Sequence, residues 1–181
     1  MELLEIGKYY HIFNRGINSE NIFKNEENRH YFLRLYNKHL SLSVTSFAYC
    51  LLNNHFHIAI RVDKESKVVT QSFSNFFNAY AKAINKSQNR TGSLFEKNFR
   101  RISIDSEKYL KDLILYIHFN PQTHFGIDYR KYSFSSYQSI LLGKHTIINC
   151  EEVIAVFDSF QNFKKTHEQQ NLVLEEKFKL E

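Results

Sequence analysis

Residues 54–62 constrain the fold most strongly, because their side chains alternate with the period of two that is typical of a β-strand. One face of this strand is apolar and packs under helices, whereas the other face is largely polar. The apolar face comprises Phe56, Ile58, Ile60 and Val62, and the opposite face comprises His55, His57, Ala59 and Arg61. The chain must therefore supply partner strands and helices that cover one side of a sheet.

The rest of the sequence supplies these elements in a definite order. Strands are predicted at residues 8–14, 43–52, 55–62 and 93–104, and helices at 26–40 and 69–87. Asn53 and Asn54 separate the middle strands, and their tolerance of left-handed backbone suits a tight hairpin. A third helix is capped by Asp105 or Ser106 and runs to the single proline, Pro121.

The element order is therefore β-α-β-β-α-β followed by a helix. This order predicts an α+β fold of the ferredoxin-like split β-α-β type, an antiparallel four-stranded sheet with helices on one face plus the added third helix. A short helix reaching Leu142 follows. We predict one domain at residues 1–145 and an acidic, helical, peripheral C-terminal extension at residues 146–181.

Composition supports a folded protein. The 181 residues include 17 Phe and 11 Tyr but only 5 Gly and 1 Pro, which excludes collagen-like and Pro-rich disordered classes. The sequence shows neither a long apolar segment nor a secretory signal pattern, so we expect a cytoplasmic protein. Cys50 and Cys150 do not form a CxxC motif, which argues against a disulfide framework or a cysteine-based zinc site.

Charge is unevenly distributed. Residues 1–150 carry 20 basic and 12 acidic side chains, whereas residues 151–181 carry 4 basic and 7 acidic ones. A basic, aromatic-rich body is typical of a protein that binds a polyanion such as nucleic acid, although charge that only confers solubility is an equal alternative.

Two pairs of residues could carry chemistry. His55 and His57 project from the same strand face beside the small Ala59, an arrangement that can hold one divalent ion; exposed histidines without a function are the alternative. Tyr116 and Asn120 lie four residues apart on the third helix and point the same way. A phenol can act as a nucleophile and an amide oxygen can bind Mg²⁺ or Mn²⁺, whereas simple packing would explain each residue separately.

These motifs resemble the REP-associated tyrosine transposases, which are HUH single-tyrosine nucleases. The resemblance covers about residues 5–142. Its signatures occur in family order: YHIFNRG at 10–16, NNHFH at 53–57, GSLFE at 92–96, YIHFNP at 116–121 and SSY at 135–137. The chain departs from the family at Asn54, where relatives often have Pro, and at residues 121–124, where they commonly carry a hydrophobic and basic run. These changes affect the expected DNA preference rather than the metal site.

The resemblance implies a role for each matching residue. His55, His57 and Asn120 would bind a divalent metal, Mg²⁺ or Mn²⁺, and Tyr116 would be the catalytic nucleophile. The implied activity is that of a transposase and endonuclease that cleaves and rejoins single-stranded, hairpin-containing DNA through a 5′-phosphotyrosine intermediate. A monomer is the expected state, with a homodimer as the alternative.

Basic side chains concentrate where DNA would bind. The stretch from Lys82 to Arg101 has six basic residues against one acid, Glu96. The predicted DNA-binding residues are Arg15, Arg61, Lys82, Lys86, Arg90, Lys97, Arg100 and Arg101, with Arg130 and Lys131 as further candidates. Arg100 and Arg101 alternate along a strand, so only one of the two is expected to contact DNA. Phe95 or Tyr132 could stack on unpaired bases, although core packing is the alternative for each ring.

Two other functions fit parts of the pattern. A protein of the same fold could bind single-stranded DNA or RNA hairpins without catalysis, but the complete set of two histidines, tyrosine and asparagine argues against this. A metal-dependent or two-histidine phosphoesterase that acts on a small molecule or an RNA end is a further alternative. That chemistry needs two HxS/T motifs, whereas His55-Phe56-His57 is the only paired-histidine motif in the sequence.

Overall fold

A computed structural model describes residues 3–143 and 147–169 of the chain. Four strands form one antiparallel sheet in the order β2-β3-β1-β4. The strands are β1 (Tyr9–Arg15), β2 (Val44–Leu51), β3 (His55–Val62) and β4 (Arg100–Ile104). The helices are α1 (Glu26–Leu40), α2 (Ser66–Ser87), α3 (Glu107–Phe125), α4 (Ser136–Leu141), α5 (Cys150–Val156) and α6 (Phe160–Gln169). Short 3₁₀ turns occupy Ile17–Ser19 and Tyr129–Lys131.

The helices lie on both sides of the sheet. On one side, Phe32 of α1 packs on Phe56 of β3 and Phe76 of α2, with ring centroids 5.1 and 4.8 Å apart. On the other side, the ring of Tyr116 in α3 lies 5.6 Å from that of His57. The predicted α+β fold, with α1 and α2 on one face and α3 added separately, is therefore confirmed.

Side-chain caps and turn contacts explain where the elements begin. Asn25 and Ser106 accept backbone hydrogen bonds at the starts of α1 and α3. The hairpin at Asn53 and Asn54 is confirmed, but neither residue has a positive φ angle. The turn is held by contacts instead: Arg29 Nη2 donates to Asn53 Oδ1 at 2.6 Å and the Gly16 N–H donates to Asn54 O at 2.8 Å.

Two element boundaries differ from the prediction. Strand β4 begins at Arg100 rather than residue 93, because the preceding segment turns through Asn98, whose φ is 61°. Helix α3 continues through Pro121 to Phe125 and ends at Gly126, whose left-handed φ of 65° suits a C-terminal cap. The proline therefore does not terminate the helix, and one further turn extends beyond it.

The C-terminal extension is helical but not peripheral. The Asn149 N–H donates to Ser46 O of β2, and Val153, Phe157 and Phe163 are buried in the core. Helices α5 and α6 thus complete the side of the molecule that α3 occupies. The predicted domain boundary after residue 145 and the tail beyond residue 169 lie outside the described residues.

Within the described residues, no helix combines the length and the apolar character needed to cross a membrane.

Candidate functional site

The candidate site lies between the face of the sheet that carries the histidines and helix α3. Strands β1 and β3 are antiparallel neighbours, with His11 opposite Ala59 and Phe13 opposite His57. His11 and Phe13 therefore share the sheet face of His55 and His57. The His55 and His57 ring centroids are 5.1 Å apart, so the predicted side-by-side arrangement of the two imidazoles is confirmed.

Each of these two histidines is held through its Nδ1 atom. His57 Nδ1 lies 3.1 Å from Nε2 of His11, and His55 Nδ1 lies 2.7 Å from Oδ1 of Asn54. Burial lowers the pKa of His11 to about 3 and holds the pKa of His57 well below its usual value. Burial, with the nearby charges of His124 and Arg15, lowers the pKa of His55 to about 4. The imidazoles are consequently neutral at pH 7, which is the form that binds metals.

Helix α3 runs along the histidine strand in a definite register. The Tyr116 ring lies 5.6 Å from the His57 ring, and the His124 ring lies 4.9 Å from the His55 ring. Asn120 is one helical turn from both Tyr116 and His124. Asn120 therefore lies on α3 between the turn that faces His57 and the turn that faces His55.

Asn120 has a buried oxygen in this position. The residue is 1% exposed, and its Nδ2 donates to Tyr116 O at 2.8 Å. Its Oδ1 is buried and accepts no hydrogen bond from the described residues. A buried amide oxygen without a donor costs about 1–3 kcal/mol unless another group satisfies it, and a hard cation is such a group.

The residues present fit a divalent cation through mixed ligands. Among the described residues, no group of three His, Cys, Asp or Glu side chains is arranged to hold a metal ion. His55, His57 and Asn120 would instead supply two imidazole nitrogens and one amide oxygen. Such a set leaves coordination positions for water and phosphate oxygens, as Mg²⁺ and Mn²⁺ sites in phosphoryl-transfer enzymes do.

A pocket of about 380 Å³ opens beside the histidines. Its walls include Arg15, Arg100, His124 and the 39% exposed ring of Phe125. Arg15 Nε donates to Glu96 Oε1 at 2.6 Å, which ties the irregular segment before β4 to the end of β1. The pocket therefore combines cationic and aromatic groups next to the candidate metal ligands.

His11 and His124 were not identified from the sequence. His11 could have been found from the alternation of the first strand, which places it two residues from Phe13 on one face. His124 was missed because the third helix was predicted to end at Pro121. The additional turn of α3 brings His124 to His55.

The sheet separates the two adjacent arginines of β4. Arg100 lies opposite Phe13 on the histidine face, and Arg101 lies opposite Ile12 on the α1–α2 face. Arg101 and Lys97 line a second groove of about 570 Å³ between α2 and the segment before β4. The predicted alternation is thus confirmed. Lys82 and Lys86 are exposed on α2.

Two other predicted DNA-binding residues form ion pairs within the protein. Arg61 forms ion pairs with Asp63 and with Glu152 of α5, and these hydrogen bonds raise its pKa. We therefore revise the interpretation of Arg61, which joins α5 to the sheet. Arg90 pairs with Glu20 at 2.5 Å.

The structure also shows the surroundings of the remaining candidates, which are two basic residues and two aromatic ones. Arg130 pairs with Asp128 at 2.9 Å, and Lys131 is exposed. The Tyr132 hydroxyl donates to Leu51 O at 2.7 Å. Phe95 packs in the core against Phe77, with ring centroids 5.3 Å apart, so its ring is a structural one.

No family model and no curated protein matches this sequence. Among solved structures, the fold is similar to that of a REP-associated tyrosine transposase bound to a REP hairpin, with a TM-score of 0.63 and 14% sequence identity. The match covers 81% of this chain and 87% of the other. The fold expected from the motif resemblance is therefore confirmed.

A tRNA(His) guanylyltransferase from Saccharomyces cerevisiae also shows some likeness, with a TM-score of 0.42 and 12% identity over 89% of this chain and 82% of that one. At that TM-score the likeness supports nothing about this chain.

Proposed function

We propose that this protein is a metal-dependent tyrosine endonuclease and strand transferase acting on single-stranded DNA that contains a hairpin. One observation carries the proposal: the Tyr116 ring lies 5.6 Å from that of His57, and Asn120, one turn later on the same helix, has a buried oxygen that accepts no hydrogen bond from the described residues. The transposase-like fold and the motif order support the same reaction class.

In the proposed reaction, the Tyr116 hydroxyl oxygen attacks the scissile phosphorus in line with the 3′ oxygen. The phenol loses its proton to solvent, a bond forms between phosphorus and the tyrosine oxygen, and the bond from phosphorus to the 3′ oxygen breaks. The products are a 5′-phosphotyrosine and a strand with a free 3′-hydroxyl, which gains a proton from solvent. A bound divalent ion would polarise a non-bridging phosphate oxygen.

Rejoining follows from the same chemistry. The tyrosine ester retains the free energy of the phosphodiester, so the 3′-hydroxyl of another strand can attack it and release Tyr116 without a nucleotide cofactor. His55, His57 and Asn120 would hold the ion, and Arg100 would neutralise phosphate charge in the adjoining pocket, where Arg15 is paired with Glu96.

Two groups of basic residues would guide the DNA. Arg100 faces the histidine pocket, while Lys97 and Arg101 line the groove beside α2. The two grooves lie on opposite faces of strand β4, and of its two arginines only Arg100 faces the candidate metal ligands. We propose that the single strand enters the histidine pocket, where the exposed Phe125 ring offers a stacking surface.

A protein that only binds the hairpin is the second candidate. An assay of strand cleavage distinguishes the proposed endonuclease from a protein that only binds the hairpin. Purified protein, Mn²⁺ and a pool of single-stranded hairpin DNAs are expected to give discrete cleavage products on a denaturing gel, and Tyr116→Phe should abolish cleavage while DNA binding persists. Tyr109→Phe on the same helix is the matched control and should cleave normally. Cleavage that survives in Tyr116→Phe contradicts the proposal, as does binding without cleavage by the wild type.

A further inference from the structure

The amide of Asn54 fixes the proton of His55. Asn54 Nδ2 donates to Ser19 O at 3.4 Å, which orients the amide so that its oxygen faces the imidazole. Asn54 Oδ1 then lies 2.7 Å from His55 Nδ1. An amide oxygen only accepts hydrogen bonds, so a neutral His55 in this contact carries its proton on Nδ1 and its lone pair on Nε2.

His11 makes the corresponding contact with His57. Its Nε2 lies 3.1 Å from His57 Nδ1, and the two rings are stacked with centroids 5.3 Å apart. His11 is 1% exposed, and a neutral imidazole carries a lone pair on one of its two ring nitrogens. When that lone pair is on Nε2, His57 carries its proton on Nδ1 and its lone pair on Nε2.

We propose that Asn54 and His11 are positioning residues that lock His55 and His57 in the Nδ1–H form, leaving both Nε2 lone pairs for one divalent cation. Ligating histidines commonly donate their second N–H to an acceptor that fixes the orientation of the ring, and removing this acceptor typically weakens metal affinity by about 10- to 100-fold. The inference rests on the proposed metal site and concerns the residues behind it.

Backbone contacts also hold Asn54 in place. The Asn54 carbonyl accepts from the Gly16 N–H at 2.8 Å, and a Cβ at Gly16 would come within 2.0 Å of Glu20 O. The absence of a side chain at Gly16 therefore lets the backbone at Glu20 pack directly against it, next to Ser19, whose carbonyl accepts from the Asn54 amide.

Two readouts other than activity test this assignment. Nitrogen-15 NMR of the metal-free protein should show His55 and His57 protonated on Nδ1. Mn²⁺ titration followed by electron paramagnetic resonance should then show a 10- to 100-fold higher Kd for His11→Phe and for Asn54→Leu. Asn54→Asp and His11→Gln retain an acceptor oxygen and should recover most of the affinity, which a general folding defect would not allow. Asn37→Leu, an exposed change on α1, is the control.

The outcomes separate this inference from the proposed function. If wild-type protein binds Mn²⁺ and His55→Ala abolishes binding, but His11→Phe and Asn54→Leu retain wild-type Kd values, the positioning role is wrong and the metal site stands. Nε2-protonated His55 or His57 in the metal-free protein would also overturn the inference. Failure of the wild type to bind Mn²⁺ would overturn the proposed metal site together with it.

Discussion

At the scale of single residues, Asn120 gives the clearest distinction between a functional and a structural side chain. It is nearly fully buried, and only its amide nitrogen has a described hydrogen-bond partner. A buried oxygen without a donor costs about 1–3 kcal/mol, so stability alone gives no reason for an amide at this position. A metal ligand at this position would explain why the cost is tolerated.

We therefore predict opposite effects of Asn120→Leu on stability and on metal affinity. Replacing the amide by an apolar group of similar size should leave the free energy of unfolding unchanged or raise it by about 1 kcal/mol. The same change should weaken Mn²⁺ binding at least 10-fold in a calorimetric titration. Gln122→Leu, two residues further along α3, is the control. A less stable variant that binds Mn²⁺ normally would show that Asn120 is structural.

The sequence predicted the central residues of the site but not its full extent. Alternation in β3 and helical spacing in α3 predicted that His55 and His57 share a face and that Tyr116 and Asn120 point the same way. Whether the two pairs meet depends on how α3 crosses the sheet, which local periodicity does not specify; the motif resemblance supplied that expectation. His11 was overlooked because its contact with His57 depends on strand pairing across 46 residues.

At the scale of elements, helix α3 is held from behind by α6. His118 Nδ1 lies 2.8 Å from His167 Nε2, and His118 Nε2 lies 2.8 Å from Ser136 Oγ of α4. These side chains are buried, and His167 Nδ1 donates to Phe163 O at 2.7 Å. The contacts fix the side of α3 opposite to Tyr116, and so the C-terminal extension supports the candidate nucleophile.

This arrangement predicts a pH-dependent stability that involves His167. Its described polar and aromatic contacts are with histidine, tyrosine and phenylalanine residues, among them His118, Tyr129 and Tyr137, and none of them is with a carboxylate. Burial lowers the pKa of His167 from 6.5 to about 4. Below pH 6.5 the unfolded chain therefore binds a proton that the folded protein excludes, so this contribution is fully present above pH 6.5 and is lost as the pH falls toward 4.

Urea unfolding at pH 7.5 and pH 5 measures the effect. Between pH 7.5 and pH 5 the wild type should lose about 2 kcal/mol more stability than His167→Gln does, because the glutamine does not titrate. His39→Gln, on the far helix α1, should retain the wild-type dependence. An identical pH profile for wild type and His167→Gln would show that His167 does not contribute.

The element order could be predicted because apolar periodicity is strong in both α1 and α2 and in the central strands. The third helix was predicted too short because proline usually ends a helix. Pro121 is instead buried within α3, and the cap at Gly126 lies five residues later. Packing of α3 between the sheet and α6 provides the tertiary contacts that local propensity does not include.

At the scale of the whole molecule, the C-terminal helices form part of the folded core. Helices α5 and α6 bury Val153, Phe157, Phe163 and His167. A chain truncated after residue 145 would expose the apolar surface that these side chains cover. We predict that it does not fold cooperatively, as judged by near-ultraviolet circular dichroism and thermal unfolding. A truncated chain with a native melting transition would support an independent domain at residues 1–145.

The basic groups on β4 predict a salt-dependent affinity for DNA. Arg100→Ala should weaken binding of a hairpin single strand several-fold and reduce the slope of log K against log salt by about 0.7 to 1, since one phosphate contact is lost. Lys38→Ala removes one positive charge on α1 and should leave the slope unchanged. Fluorescence anisotropy at several salt concentrations measures both. Equal slopes for the two variants would show that the DNA does not contact Arg100.

The identity of the nucleophile is the central claim, and peptide mass spectrometry of a covalent DNA adduct tests it most directly. Protein incubated with Mn²⁺ and single-stranded hairpin DNA, then digested with nuclease and protease, should yield a peptide carrying a 5′-linked nucleotide on Tyr116. The adduct should disappear on chelation of the metal and in Tyr116→Phe. An adduct on Tyr109 or Tyr137, or bound DNA with no adduct at all, would contradict the account.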